Sequence, residues 1–323
     1  MFRMLKSIRV SGSLLASLLL LGACAACRGS DPTPLVQAHA HNDYEHKRPL
    51  LDALDQGFCS VEADVHLVDG SLLVAHARSQ VKPGRTLQAL YLDPLRERVR
   101  KNGGRVYPAG PEFTLLVELK SDWQISYPVL REILKPYAGM LTTFRPGATQ
   151  TNAIRIIITG RRAKEMVHGD TERYASLDGE LADLDSGASS DLVPWISGNW
   201  GQSFKWRGSG AMSEADKARL KAIVARAHEQ GRRVRFWGAP DQPVFWGEMV
   251  ANGVDLINTD DLVGARKFLL SRNHADEPGA TKPQRCSATE PQPKRHPLFN
   301  AETRRAQRNA EKKNPLRTSA PLR

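Results

Sequence analysis

From residue 35 to residue 270 short apolar runs alternate with longer stretches of helical period, and this rhythm restricts the fold more than any other property of the chain. Strands are expected at 35–39, 58–67, 113–120, 154–159, 174–177, 195–197, 234–237 and 254–258. Helices are expected at 49–56, 86–101, 127–137, 161–168, 213–230, 242–251 and 261–270. The helix ends carry their own chemistry. Ser213 stands where a hydroxyl caps the first turn, and Gly57 and Gly231 stand where a helix stops. About eight strands alternating with helices over roughly 240 residues predict an α/β fold, a (β/α)8 TIM barrel. The rival, a doubly wound open sheet, lacks a Gly-rich phosphate loop after the first strand.

The run 58–67 places Phe58, Ser60, Glu62, Asp64 and His66 on one face, and Cys59, Val61, Ala63, Val65 and Leu67 on the other. Two carboxylates on the inner face of a strand are costly unless something neutralises them. Oxygen ligands at this fixed spacing suit a hard divalent cation, Mg²⁺ or Ca²⁺. In such a barrel the functional residues stand at the C-terminal strand ends. There this chain has His39, Glu62 with Asp64, His76, and Glu118 with Lys120. Three carboxylates, two imidazoles and an ammonium on one rim require a cation or a ligand to balance them.

The net charge of +11 suggests a nucleic-acid binder until it is divided along the chain. Arg3, Lys6 and Arg9 give +3 within residues 1–23, and residues 272–323 hold 12 Lys or Arg against 5 Asp or Glu, giving +7. About +1 remains for the body by subtraction, so it has no nucleic-acid footprint. The basic start runs into an apolar segment and then Leu21-Gly22-Ala23-Cys24, which resembles a bacterial lipobox. That predicts a signal peptide over 1–23, lipidation of Cys24, a linker over 24–34, and a membrane-anchored lipoprotein of the bacterial cell envelope, periplasmic or on the outer surface. The barrel is expected over 35–271, and a basic, Pro-interrupted, disordered tail over 272–323. Cys27, Cys59 and Cys286 show neither metal-ligand nor disulfide spacing.

Several motifs occur as an ordered set: His39-Ala40-His41-Asn42-Asp43, Val61-Glu62-Ala63-Asp64-Val65, Leu73-Val74-Ala75-His76, Val117-Glu118-Leu119-Lys120, Val234-Arg235-Phe236-Trp237 and Asn252-Gly253-Val254-Asp255-Leu256-Ile257-Asn258-Thr259-Asp260. The set resembles the phosphatidylinositol phospholipase C-like phosphodiesterase superfamily, and within it the glycerophosphodiester phosphodiesterase group. With Leu90-Tyr91-Leu92-Asp93-Pro94-Leu95 it is most similar to the branch named for altered inheritance of mitochondria protein 6.

The resemblance implies a metal-dependent phosphodiester hydrolase. Glu62, Asp64 and Glu118 match the family's metal-binding carboxylates, His39 and His76 its catalytic pair, and Lys120 and Trp237 its pocket. One histidine would remove a proton from the attacking hydroxyl while the other protonates the leaving oxygen. The implied substrate is a small-molecule glycerophosphodiester or a phospholipid head group. The family's usual arginine after the first histidine is replaced by Ala40, which leaves His41 or Lys120 to contact phosphate. The His39-x-x-Asn42 spacing also resembles spider-venom phospholipase D, a lyase that forms a cyclic phosphate, and brings Asn42 into the substrate pocket. Lying on the same strand face, His41 is the reserve for His39. A catalytically silent envelope lipoprotein that binds a phosphorylated ligand is the alternative from another class. Two carboxylates on one strand do not face each other across a sugar, which sets a glycosidase aside.

Overall fold

The computed structural model describes residues 31–160 and 164–273. The expected signal segment, Cys24 and the tail beyond residue 273 lie outside the described residues. The strands are β1 (Leu35–Ala40), β2 (Phe58–Val68), β3 (Ser71–Val74), β4 (Phe113–Leu119), β5 (Thr143–Arg145), β6 (Ala148–Gln150), β7 (Ile154–Gly160), β8 (Ala175–Glu180), β9 (Trp195–Asn199), β10 (Arg233–Trp237) and β11 (Ile257–Thr259). The helices are α1 (Leu51–Asp55), α2 (Asp93–Lys101), α3 (Trp123–Leu134), α4 (Lys164–Gly169), α5 (Trp200–Ser203), α6 (Glu214–Glu229), α7 (Pro243–Ala251) and α8 (Leu262–Asn273).

Eight strands pair in the order β10-β9-β8-β7-β4-β2-β1-β11, each parallel to its neighbour. A single parallel bridge between Arg235 and Leu256 joins the two ends, closing the expected (β/α)8 barrel. Two hairpins are added to it. β3 folds back on β2 through Asp69 and Gly70, both in the left-handed region at φ 48° and 76°. β5 pairs with β6, and its Phe144 makes an antiparallel bridge to Arg173. The helix expected over 86–101 is divided into a π turn, Gln88–Leu92, and α2, because Pro94 donates no N–H and so opens a helix.

Strand alternation separates two interiors. The faces bearing Val61, Ala63, Val65, Leu115, Val117, Ile156 and Ile158 belong to the main core, to which α3, α6, α7 and α8 also contribute. The opposite faces contribute a separate small cluster of Leu116, Ile157, Trp195 and Leu256. These side chains share strand faces with Glu118, Thr159, Ser197 and Asn258, so they plug the inside of the barrel below its polar residues. Burial of each contributes about 1.5–3 kcal/mol. His39 packs edge-on against the Trp195 ring at 5.8 Å, which marks the boundary between plug and polar layer.

Candidate functional site

Glu62 and Asp64 come from β2, and Glu118, in register with Asp64, comes from the adjacent β4. One carboxylate oxygen of each lies within 4.8 Å of the others, a group that could hold a metal ion. Two buried oxygens, Glu62 Oε2 and Asp64 Oδ1, have no hydrogen-bond partner among the described residues. Orphaned acceptors in a buried acidic group are costly, and a hard cation satisfies them. The donor set therefore fits a divalent ion.

Lys120 supplies internal charge compensation. Its Nζ lies 2.8 Å from Glu118 Oε1 and 3.0 Å from Asp64 Oδ2. Burial and the nearby Asp64 charge push the Glu118 carboxyl up, against the pull of Lys120. Burial opposes the charge on Lys120, but Asp64 and Glu118 outweigh it and raise its pKa.

The expected histidines occupy different depths. His39 is fully buried; its Nδ1 lies 2.7 Å from Ser60 Oγ and its Nε2 accepts from Arg235 Nη1 at 3.0 Å. Burial lowers its pKa to about 4, with Arg235 adding to the effect, so the ring is neutral at pH 7. His41, just past β1, is 26 % exposed, with Nδ1 2.8 Å from Asp260 Oδ1 and Nε2 4.0 Å from Glu62 Oε2. Burial alone would pull His41 down, but the Glu62 charge and the Asp260 hydrogen bond raise it to about 9. Burial would likewise raise Glu62, yet the His41 and Arg235 charges hold it well below the usual carboxylate range. On the other side His76 stands 3.2 Å from Asp64 Oδ2, and that hydrogen bond raises its pKa despite partial burial.

Asn42 makes the turn out of β1 in the left-handed region, at φ 48°, a conformation that Asn tolerates. The turn delivers Tyr44, whose hydroxyl lies 2.6 Å from both Asn42 Oδ1 and Asp64 Oδ2 and 3.1 Å from His76 Nδ1. Trp237 ends β10 level with Asn199 and is 38 % exposed; no hydrogen bond or ion pair joins it to the acidic group among the described residues. Thus His41, Asn42, Glu62, Asp64, His76, Glu118 and Lys120 converge, His39 lies beneath them, and Trp237 has no polar link to them among the described residues.

Sequence reasoning missed Tyr44, Asp260 and Arg235. Tyr44 and Asp260 fall within or beside quoted motifs, and Arg235 shares a strand face with Trp237, two residues on. Arg235 is only 3 % exposed, and a buried guanidinium requires partners that are remote in the sequence.

Residues 30–178 match a family described as the AIM6-like phosphodiesterase domain. Altered inheritance of mitochondria protein 6 from Eremothecium gossypii is 30% identical over 282 residues, covering 74% of this chain and 70% of that protein. A homologue from Arthroderma benhamiae is 29% identical over 276 residues, covering 75% of this chain and 85% of that protein. Among solved structures, a glycerophosphodiester phosphodiesterase from Parabacteroides distasonis superposes with a TM-score of 0.42 at 16% identity, covering 76% of this chain and all of that one (100%).

These relatives correct one expectation. The bacterial envelope lipoprotein was inferred from the basic start, the apolar segment after it and the four residues ending at Cys24, whereas the curated relatives described above are fungal. Among the described residues no helix is long and apolar enough to cross a membrane.

Proposed function

The chain belongs to the family of altered inheritance of mitochondria protein 6, whose shared domain is described as phosphodiesterase-like, and from this we propose that it hydrolyses phosphodiesters with a divalent cation at Glu62, Asp64 and Glu118. The observation that carries the reading is the pair of orphaned oxygens, Glu62 Oε2 and Asp64 Oδ1, in an acidic group flanked by His41 and His76. When bound, Mg²⁺ or Ca²⁺ supplies positive charge that offsets the phosphate and the charge developing on it.

The chain's own residues handle the protons. His41 holds its proton at neutral pH and presents Nε2 on the Glu62 side, so it donates to the leaving alcohol oxygen. His76 turns Nδ1 to Asp64, and no hydrogen bond engages its Nε2 among the described residues, so that nitrogen accepts the proton of the attacking water or hydroxyl. A P–O bond forms to the nucleophile as the P–O bond to the alcohol breaks. Asp260 keeps the His41 ring oriented, and Tyr44 fixes the Asp64 carboxylate through its Oδ2. His39, sealed beneath with both ring nitrogens engaged, has no access to a substrate; His41 takes the role that the motif suggested for it.

The test is ³¹P NMR of the full chain, stripped of metal and then given Mg²⁺ or Ca²⁺, with a panel of glycerophosphodiesters and lysophospholipids. A monoester or cyclic phosphate signal that requires the cation and disappears in His76→Ala and His41→Ala is expected. Silence across the panel despite tight cation binding would replace hydrolysis with capture of a phosphorylated ligand.

A further inference from the structure

We propose that Arg235 is a positioning residue that fixes Glu62 and His39 from beneath the acidic group, across the seam where the barrel closes. Its guanidinium is sealed inside the barrel and hydrogen-bonds to four other strands. Nε donates to Ser197 Oγ at 3.0 Å on β9, and Nη2 donates to Asp178 Oδ2 at 3.1 Å on β8. Nη1 donates to His39 Nε2 at 3.0 Å on β1 and to Asn258 Oδ1 at 3.1 Å on β11, and it lies 3.6 Å from Glu62 Oε2. Four of the five N–H donors of one planar fork make this set of bonds; an ammonium on a flexible stem cannot.

Two consequences follow from the chemistry. A donor aimed at His39 Nε2 requires that nitrogen to be unprotonated, so the ring hydrogen sits on Nδ1 and is donated to Ser60 Oγ. His39 thereby becomes a fixed, neutral wedge 3.5 Å under Glu62. Between β10 and the segment entering β11 the backbone makes one bridge, Arg235 to Leu256, and Val234 N donates to Asp255 Oδ2 at 2.7 Å; the Arg235 side chain adds a link through Asn258, inside the barrel. Loss of the guanidinium frees the floor on which Glu62 stands, and a displacement of about 1 Å at a reacting centre costs about 100-fold in rate.

The inference rests on Glu62 being a carboxylate of the reacting site, and its test keeps the two apart. Arg235→Met alone would strand the buried Asp178 carboxylate, so it is paired with Asp178→Asn, which restores charge balance. Arg235→Lys is the second variant, since it keeps the charge and loses the fork. For each, thermal unfolding, the ¹⁵N shifts of the His39 imidazole, assigned by their absence in His39→Asn, and kcat with KM for any diester hydrolysed by the wild type are measured.

Both variants should fold, lose the Nδ1-protonated signature of His39, and show kcat lower by about 100-fold with KM nearly unchanged. Wild-type shifts and wild-type kcat in the folded double variant would reduce Arg235 to a counter-ion for Asp178 and overturn the proposal. If the double variant does not fold, Arg235→Lys decides by the same readings. Should the wild type hydrolyse no diester, the hydrolase reading fails, while the imidazole signature still decides whether Arg235 sets the state of His39.

Discussion

Replacing Asp43 by Asn should remove a loss of stability that the wild-type barrel suffers between pH 3.8 and about 7. Asp43 is fully buried; its Oδ2 accepts from Leu50 N and from Tyr91 Oη at 2.9 Å, and its Oδ1 has no partner among the described residues. Burial pushes its pKa up from 3.8 to about 7, against the two hydrogen bonds. In that window the folded chain keeps a proton that the unfolded chain has released, so stability falls as pH rises. The contribution is fully present below 3.8 and is lost through about 7. At about 1.4 kcal/mol per pH unit, the whole effect is about 4 kcal/mol. Asn has the same shape and an oxygen acceptor but does not titrate. Urea unfolding of both proteins across the window should show their difference moving by about 4 kcal/mol in favour of Asp43→Asn, because other titrating groups cancel in the difference. Parallel pH profiles would refute the reasoning. The consequence reaches the site, because Asp43 lies between Asn42 and Tyr44 and anchors Leu50, which is held at φ 65°. Charging it loosens the turn that delivers His41 and Tyr44.

Three further outcomes are expected. Tyr44→Phe removes the hydroxyl from Asp64 Oδ2 and should weaken Mg²⁺ binding, read by titration calorimetry, by about 10–100-fold. A cation at 100 times its dissociation constant should stabilise the wild type by about 2.7 kcal/mol in thermal unfolding, and Glu118→Gln should largely remove that gain. Leu116→Ala empties part of the barrel plug and should cost about 2–5 kcal/mol in urea unfolding; a loss below 1 kcal/mol would mean that the plug collapses around it.

The fold was legible because its signals are local. β2 and β4 alternate in sequence, β7 is a continuous apolar run of strand length, and α6 begins where the Ser213 hydroxyl accepts from Asp216 N at 3.1 Å. Where signals were short or competing, they failed. The β5–β6 hairpin has three residues per strand, too few to display a period of two. At β11 the expected run 254–258 shifts to Ile257–Thr259, the three residues that ladder with β1, while Leu256 makes only an isolated bridge to β10.

The acidic triad could be read from the sequence for the same reason as the strands: Glu62, Asp64 and Glu118 share faces with their strand neighbours, and β2 and β4 pair in regular register. The depth of the histidines could not. Leu35 pairs with Phe58, and regular pairing from there would set His39 beside Glu62, the position its motif implies. Instead the register shifts between Leu35 and His39, and His39 pairs with Ser60. Two residues further on, His41 stands beside Glu62, while His39 drops into the layer held by Arg235. Alternation fixes which face a side chain takes but not its height, and height is set by an irregularity between two strands. The shift therefore makes a discriminating prediction: removing the imidazole at His41 should abolish proton transfer while leaving the buried layer intact. His39→Asn should act as Arg235 variants do, through the position of Glu62. If His39→Ala instead removed turnover that added imidazole restored, His39 would be the proton carrier and the assignment of depth to function would be wrong.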